Sequence, residues 1–263
     1  MSSNAVWGSL RDLLKRSELL KHLVISNLKV AHQDHVLGYL WWLLDPLLWM
    51  FVYWLLVVGI FDRGEPNYPL FLLCAILPWR AFMTSISQSL NCVTGQERLI
   101  KVIAFPKAVL PISVVLSNAV NLAFGLAVLI LTALLYGLPL TGYLLLLPIV
   151  ALIQLLFTTG LALMLSMVAV YFADIRNVMQ FALRIWLYLS PSLYALERVP
   201  VRFRTLYMLN PFAPIFESYR DIVMRGRAPQ WEWLALAVVI SSGVLLIGFW
   251  FFASQEKRIA KVI

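Results

Sequence analysis

From Ala108 to Ala173 the chain carries no charged residue. That absence constrains it more than any motif it contains. A helix at the surface of a soluble domain needs a polar face, and so long a neutral run provides none. At about 1.5 Å per helical residue the run is too long to cross a bilayer core of about 30 Å once, and the right length to cross it twice. Acidic residues are also scarce, 13 against 21 lysines and arginines, for a formal net charge of +8. Cysteine is almost missing. Cys74 and Cys92 fall on one expected helix, about 27 Å apart along its axis, which excludes a disulfide between them. No glycine is followed by lysine, so there is no G-x-x-x-x-G-K-[ST] phosphate loop, and any ATP must be bound by another chain. A cleavable signal peptide is not expected. The first apolar run begins near Val36, after a charged lead with no small-residue cleavage site.

What is present is hydrophobic. A chain that is 62% apolar and 13% charged, with a mean hydropathy of +0.84, is an integral membrane protein. Long Leu-, Val- and Ile-rich runs predict helices rather than a barrel. The surplus of lysine and arginine suits anionic headgroups, and no basic-aromatic module remains to bind nucleic acid.

The neutral run is interrupted only by Tyr136-Gly137-Leu138-Pro139-Leu140-Thr141-Gly142. Turn chemistry there predicts a hairpin of Ala108–Leu135 and Tyr143–Tyr171. Both open ends then share one face, which Arg98, Lys101 and Lys107 mark as cytoplasmic. Around the hairpin the hydropathy predicts an all-α membrane protein with six transmembrane helices. The other four are Val36–Phe61, Pro69–Cys92, Val178–Leu196 and Trp233–Ala253, and both termini are placed in the cytoplasm. Residues 1–35 form a cytoplasmic interface helix and juxtamembrane segment, and residues 36–263 the six-span domain.

Within 1–35, residues 6–24 read as an amphipathic helix with a capping box at Ser9 and Asp12. Val6, Leu10, Leu13, Leu14, Leu20 and Val24 form its apolar stripe. The helix suits the membrane interface; a soluble helix packed on a partner is the alternative. His32, Asp34 and His35 do not share one helix face, and with no fourth ligand they read as a solvated segment rather than a metal site.

Three features interrupt the spans. Asp45-Pro46 predicts a break at which Asp45 caps the restarted helix and Pro46 takes its first position. The alternative is a carboxylate facing a substrate path. Pro78-Trp79-Arg80 interrupts the second span, and Arg80 there must face protein or a water-filled interior. The fifth span carries Arg184 near its middle and a Ser190-Pro191 break.

Two connecting regions stand out. The inner loop 93–107 combines Gln96, Glu97, Arg98 and Lys101 with Leu99, Ile100, Val102, Ile103 and Phe105, a pattern for one short helix docking on a cytoplasmic partner. The outer region 197–232 holds Arg198, Arg202, Arg204, Arg220, Arg225 and Arg227 and no lysine. It reads as a re-entrant or outer-leaflet helical hairpin turning at Asn210-Pro211. Arginine forks match phosphate and carboxylate, so these arginines are expected to meet an anionic substrate or lipid headgroups.

Leu37-Gly38-Tyr39-Leu40-Trp41-Trp42 followed by Asp45-Pro46 resembles the first-span signature of type-2 ATP-binding-cassette permeases that export surface polysaccharides. Leu77-Pro78-Trp79, Leu99-Ile100-Lys101 and Phe105-Pro106-Lys107 through Leu110-Pro111 resemble that family's second span and inner loop. Ser190-Pro191-Ser192-Leu193-Tyr194 and Leu209-Asn210-Pro211 with Tyr219-Arg220 resemble its outer region. The family includes O-antigen, capsule and wall teichoic acid exporters of the bacterial cytoplasmic membrane.

The resemblance implies a homodimer with two copies of a separate ATPase, which binds the ATP and Mg, and a lipid-diphosphate-linked polysaccharide as cargo. No cofactor is expected in this chain. Coupling to the ATPase falls to Gln96, Glu97, Arg98, Leu99, Ile100, Lys101 and Phe105. The substrate path is expected along Trp41, Trp42, Asp45, Trp49, Tyr53, Trp54, Arg80, Arg184, Trp186 and Tyr188, whose aromatic faces stack on sugars; a lipid-facing or interfacial role is the alternative for each. The outer gate is expected at Pro191, Tyr194, Asn210, Pro211, Tyr219 and Arg220. Rival functions are an ion-coupled transporter using Asp45 and a membrane enzyme using Glu197, Glu217 and Asp221. The outer arginines favour a phosphate-bearing polymer such as teichoic acid.

Overall fold

The computed structural model describes residues 17–30, 40–61, 64–102 and 105–262, with 40–43 and 257–262 described by backbone only. The regular elements among them are all helical. They are α1 (Ser17–Val30), α2 (Leu40–Trp54), α3 (Tyr68–Cys92), α4 (Glu97–Val102), α5 (Val109–Leu135), α6 (Leu147–Tyr171), α7 (Ile175–Leu189), α8 (Val201–Met208), α9 (Phe212–Val223) and α10 (Trp231–Val262).

Four stretches among the described residues are long and apolar enough to cross a bilayer: Tyr68–Cys92, Val109–Leu135, Gly142–Tyr171 and Trp231–Glu256. α2 runs on into a π-helical stretch, Leu55–Ile60. The expected fifth span is the 15-residue α7, about 22 Å long. It stops at Leu189 because Ser190 turns extended ahead of Pro191.

α3 is the central pillar. Every residue from Leu70 to Trp79 is buried, as expected of a helix apolar all round. α2, α5, α6, α7 and α9 pack around it. The hairpin forms as the turn chemistry predicts. Gly137 adopts φ +71°, its amide donates to the Leu134 carbonyl, and the Leu138 amide donates to Ala133. That is a Schellman close, which needs a left-handed residue at the glycine position.

The most intimate pair is α6 with α10. Gly160 and Gly248 meet so closely that a Cβ on Gly160 would stand 2.6 Å from the Leu245 amide nitrogen and the Val244 carbonyl. Small residues let two membrane helices touch along their backbones.

The bundle has two ends. α4, the start of α5, the end of α6, the start of α7 and the last turns of α10 meet at what we call the foot. The α2–α3 loop, the hairpin turn and residues 190–230 gather at the head, where Arg198 pairs with Glu65 at 2.8 Å and the Tyr68 hydroxyl donates to the Leu193 carbonyl at 2.7 Å.

Several local expectations change. The N-terminal helix does not end at residue 24. It continues to Val30 because Asn27 and the Val24 carbonyl find partners on α5, the hydroxyls of Ser113 and Ser117, both at 3.4 Å. Leu19 and Leu23 pack on the foot's apolar cluster. Residues 6–16, with the capping box, and His32, Asp34 and His35 lie outside the described residues. Asp45-Pro46 does not break α2: Pro46 sits inside the helix, and Asp45 turns to Arg80 instead of capping. α3 likewise runs through Pro78. The Pro78 carbonyl accepts from the buried Gln154 side chain of α6 at 2.8 Å, since neighbouring helices satisfy polar backbone that water cannot reach.

Candidate functional site

A groove of about 520 Å³ opens between α2, α3 and α7. Trp49 and Tyr53 line it from α2, Trp79, Arg80 and Ser87 from α3, and Gln180, Arg184 and Tyr188 from α7. These positions recur at helical spacing, so each helix turns one stripe to the cavity. On α7 the stripe sets Gln180, Arg184 and Tyr188 among Leu183 and Leu187, while Phe181, Ile185 and Leu189 are exposed beside it.

The groove has aromatic and cationic parts. Trp49 stacks on Tyr53 with centroids 5.7 Å apart, and the Tyr53 and Tyr188 hydroxyls approach to 3.4 Å across α2 and α7. Arg80 is ion-paired with Asp45. Arg184 is exposed. Among the residues expected on the substrate path, Trp49, Tyr53, Arg80, Arg184 and Tyr188 therefore meet in one cavity, with Asp45 at Arg80. Trp54 packs instead beside Tyr53, Tyr68 and Phe71. Trp186 turns inward to an aromatic cluster with Trp79, Phe82, Phe157 and Phe212. The side chains of Trp41 and Trp42 lie outside the described residues.

The foot joins the groove to the loop below it. Gln96, Glu97, Arg98 and Lys101 are exposed, and Lys101 pairs with Glu97 one turn away at 2.6 Å. Ile100 and Phe105 are buried with Val93, Leu163, Met167, Phe249 and Phe252, and Leu99 packs against that cluster. Two hydrogen bonds fix the loop to other helices. Arg176 of α7 donates to the Thr94 hydroxyl at 3.1 Å, and the Lys107 amide donates to Glu256 of α10 at 2.6 Å.

The head is where expectation and structure part. Arg220 is fully buried; it donates to Glu217 at 2.7 Å and to the Ser192 carbonyl at 3.0 Å, and its guanidinium lies 3.5 Å from the Phe71 ring centroid. Arg225 binds Glu217 at 2.9 Å and Asp221 at 2.7 Å, and Arg227 binds Asp221 at 2.8 Å. Arg204 donates to the Glu197 and Val199 carbonyls, and Arg202 sits 4.7 Å from the Phe203 ring centroid. All of these arginines but Arg202 are engaged by the protein's own carboxylates and carbonyls. The argument from them for a phosphate-bearing polymer falls, and so does the reading of Glu217 and Asp221 as free catalytic carboxylates. Burial alone would raise the Glu217 carboxyl, but Arg220 and Arg225 outweigh it and hold it below the usual carboxylate range.

Of the expected gate residues, Asn210 and Tyr194 bond to the end of α7. Asn210 Oδ1 accepts from the Trp186 indole at 3.1 Å and from the Phe212 amide at 3.2 Å, while its amide donates to Ser190 at 2.8 Å. Tyr194 donates to Tyr207 at 3.1 Å, Pro191 is buried, and Tyr219 is buried with no described partner for its hydroxyl. Pro211 precedes α9, all of whose residues are buried. Gln154, Ser87, Gln180 and the Gly160–Gly248 contact escaped the sequence reading. Only a polar residue inside an apolar run, as at Gln154, could have flagged any of them.

The profile described as ABC-2 type transporter matches residues 18–224. The chain belongs to that family. It is 32% identical over 255 residues to the O-antigen export system permease protein RfbA of Myxococcus xanthus, covering 96% of this chain and 98% of that one. It is 28% identical over 247 residues to the RfbA permease of Klebsiella pneumoniae, covering 94% and 95%. To the polysialic acid transport protein KpsM of Escherichia coli it is 24% identical over 247 residues, covering 89% and 92%. This ABC-2 transporter is thus similar to polysaccharide permeases over nearly its whole length, groove and foot included.

Proposed function

We propose that the chain is the membrane subunit of an ATP-driven exporter that moves a lipid-diphosphate-linked surface polysaccharide across the bacterial cytoplasmic membrane. The observation that carries this reading is the groove, where aromatic faces and two arginines line one open wall in a family whose relatives are named for O-antigen export and polysialic acid transport. Aromatic faces bind sugar rings without demanding one sequence of sugars. Among the described residues lining the groove, the arginines supply the positive charge suited to the diphosphate.

In this reading two copies face each other across their grooves, and six spans per copy include α2 and α7. The foot and both termini lie in the cytoplasm. A separate ATPase, two copies per exporter, binds ATP and Mg and presses on residues 96–105, while the head forms the outer gate. O-antigen-like polymers are favoured over teichoic acid, because the head arginines are occupied. In the ion-coupled alternative the candidate carboxylate is Asp45, which in this structure is paired with Arg80.

The test is co-expression with the cognate ATPase. Reversing the exposed charges of Glu97 and Arg98 should leave the complex assembled yet uncouple ATP hydrolysis from polymer export. Unchanged export, or export by this chain without the ATPase, overturns the assignment.

A further inference from the structure

The groove's charges are unequally placed. Asp45 of α2 holds Arg80 of α3, and the protein encloses neither fully, at 38% and 24% side-chain exposure. Arg184 lines the same cavity from α7 and makes no hydrogen bond or ion pair with any described residue. Two cations thus face one cavity, and among the described residues only one has a counter-ion.

An arginine within a membrane span is costly unless it is paired or wetted, which explains why an empty groove needs Asp45. The pair is also exchangeable. An ion pair that the protein leaves this open can be exchanged for a better anion: a diphosphate offers more negative charge and can accept bidentately from a guanidinium while its other phosphate meets a second one. Neutral donors line the same cavity, Ser87 from α3 and Gln180 from α7. A carrier must also release its cargo, so a site on a transport path has to bind weakly enough to let go. A resident carboxylate competing for one of two arginines does this.

We propose that Asp45 is a placeholder anion: it occupies Arg80 while the groove is empty and yields it to the diphosphate of the passing lipid-linked substrate, with Arg184 as the second cationic ligand. The proposal rests on the export reading for the presence of a diphosphate. It assigns Asp45 a role opposite in sign to that of a binding residue, because removing the carboxylate strengthens the hold on cargo.

The test uses the full-length chain in nanodiscs of zwitterionic lipid, titrated with geranylgeranyl diphosphate, with geranylgeranyl monophosphate and geranylgeraniol as controls. Asp45→Asn should bind the diphosphate about fivefold more tightly than the wild type. Arg80→Gln and Arg184→Gln should each bind it more weakly, and Asp45→Asn should add nothing in the Arg80→Gln background. A second measurement needs no variant: labelling of Asp45 by a hydrophobic carbodiimide, read by mass spectrometry, should rise as diphosphate frees the carboxylate. Equal or weaker binding by a folded Asp45→Asn, or unchanged labelling of the wild type in the presence of bound diphosphate, overturns the placeholder and leaves the export reading standing. If the wild type binds the diphosphate no better than the alcohol, the diphosphate cargo falls as well. If phosphatidylglycerol in the disc raises labelling as the diphosphate does, the displacing anion is a lipid headgroup and the proposal is overturned.

Discussion

Arg176, in the first turn of α7, donates a hydrogen bond to the hydroxyl of Thr94, in the turn just before α4, at 3.1 Å. One contact thereby ties the exposed foot to the helix that carries Gln180, Arg184 and Tyr188 into the groove. If the foot receives the ATPase's movement, this strut passes it on. Thr94→Val removes the acceptor with little change of shape. Export per ATP hydrolysed should drop about fivefold, the equivalent of about 1 kcal/mol for one hydrogen bond, with expression and ATPase binding retained. Coupled assays on the reconstituted complex measure both quantities.

The α6–α10 crossing makes a prediction of opposite signs on one helix. A Cβ at Gly248 would lie 2.2 Å from the Gly160 carbonyl oxygen, whereas one at Gly243 meets nothing within 4 Å. Gly248→Ala must push the helices apart, at a cost of about 1–3 kcal/mol or more. Gly243→Ala gains helix propensity and should stabilise by up to about 1 kcal/mol. Thermal unfolding in detergent separates the two.

Glu217 links stability to pH. Its carboxyl is held below the usual range in the folded protein, so its contribution is complete above the unfolded value of about 4.3 and is lost as pH falls through the lower folded value. The difference in Tm between wild type and Glu217→Gln should therefore be steady near neutrality and shrink below about pH 4. A difference that grows with acidity would show that Glu217 is not stabilised as a carboxylate.

Arg220 should be less tolerant than the arginines around it. It is fully buried and holds both Glu217 and the Ser192 carbonyl, so Arg220→Met leaves Glu217 to Arg225 alone and the Ser192 carbonyl without this donor, at about 1–3 kcal/mol. Arg202, whose contact is with the Phe203 ring, should tolerate alanine within about 1 kcal/mol. Yields of folded protein after detergent extraction give the ranking.

Asn210 gathers three partners from the end of α7 and the start of α9. Asn210→Ala orphans the Trp186 indole and takes a donor from the Ser190 hydroxyl, which keeps its own bond to the Trp186 carbonyl, and should loosen this corner by about 1–3 kcal/mol. Increased cysteine accessibility at positions 191–194, placed one at a time, reports the opening.

The periodicity and composition of the sequence determined the elements that depend only on local chemistry. A neutral run broken by Gly137 and Pro139 becomes a helical hairpin because hydrocarbon forces internal hydrogen bonds and only glycine closes that turn without strain. Asn210-Pro211 separates α8 from α9 for the same local reason. The groove was half visible, because aromatic residues and single arginines in apolar spans are conspicuous wherever they occur. Tertiary structure decided which of them share a cavity: Trp186, two residues from Tyr188 and so on the opposite side of α7, turned into the core, where Asn210 offered its indole a partner. It decided that Asp45 pairs rather than caps, since only packing brings Arg80 beside it. It also decided that six head arginines which read as a ligand-binding patch mostly serve the protein's own carboxylates and carbonyls. A charge in a sequence has no partner until the chain folds, and burial then makes a nearby carboxylate far cheaper to hold than to leave alone.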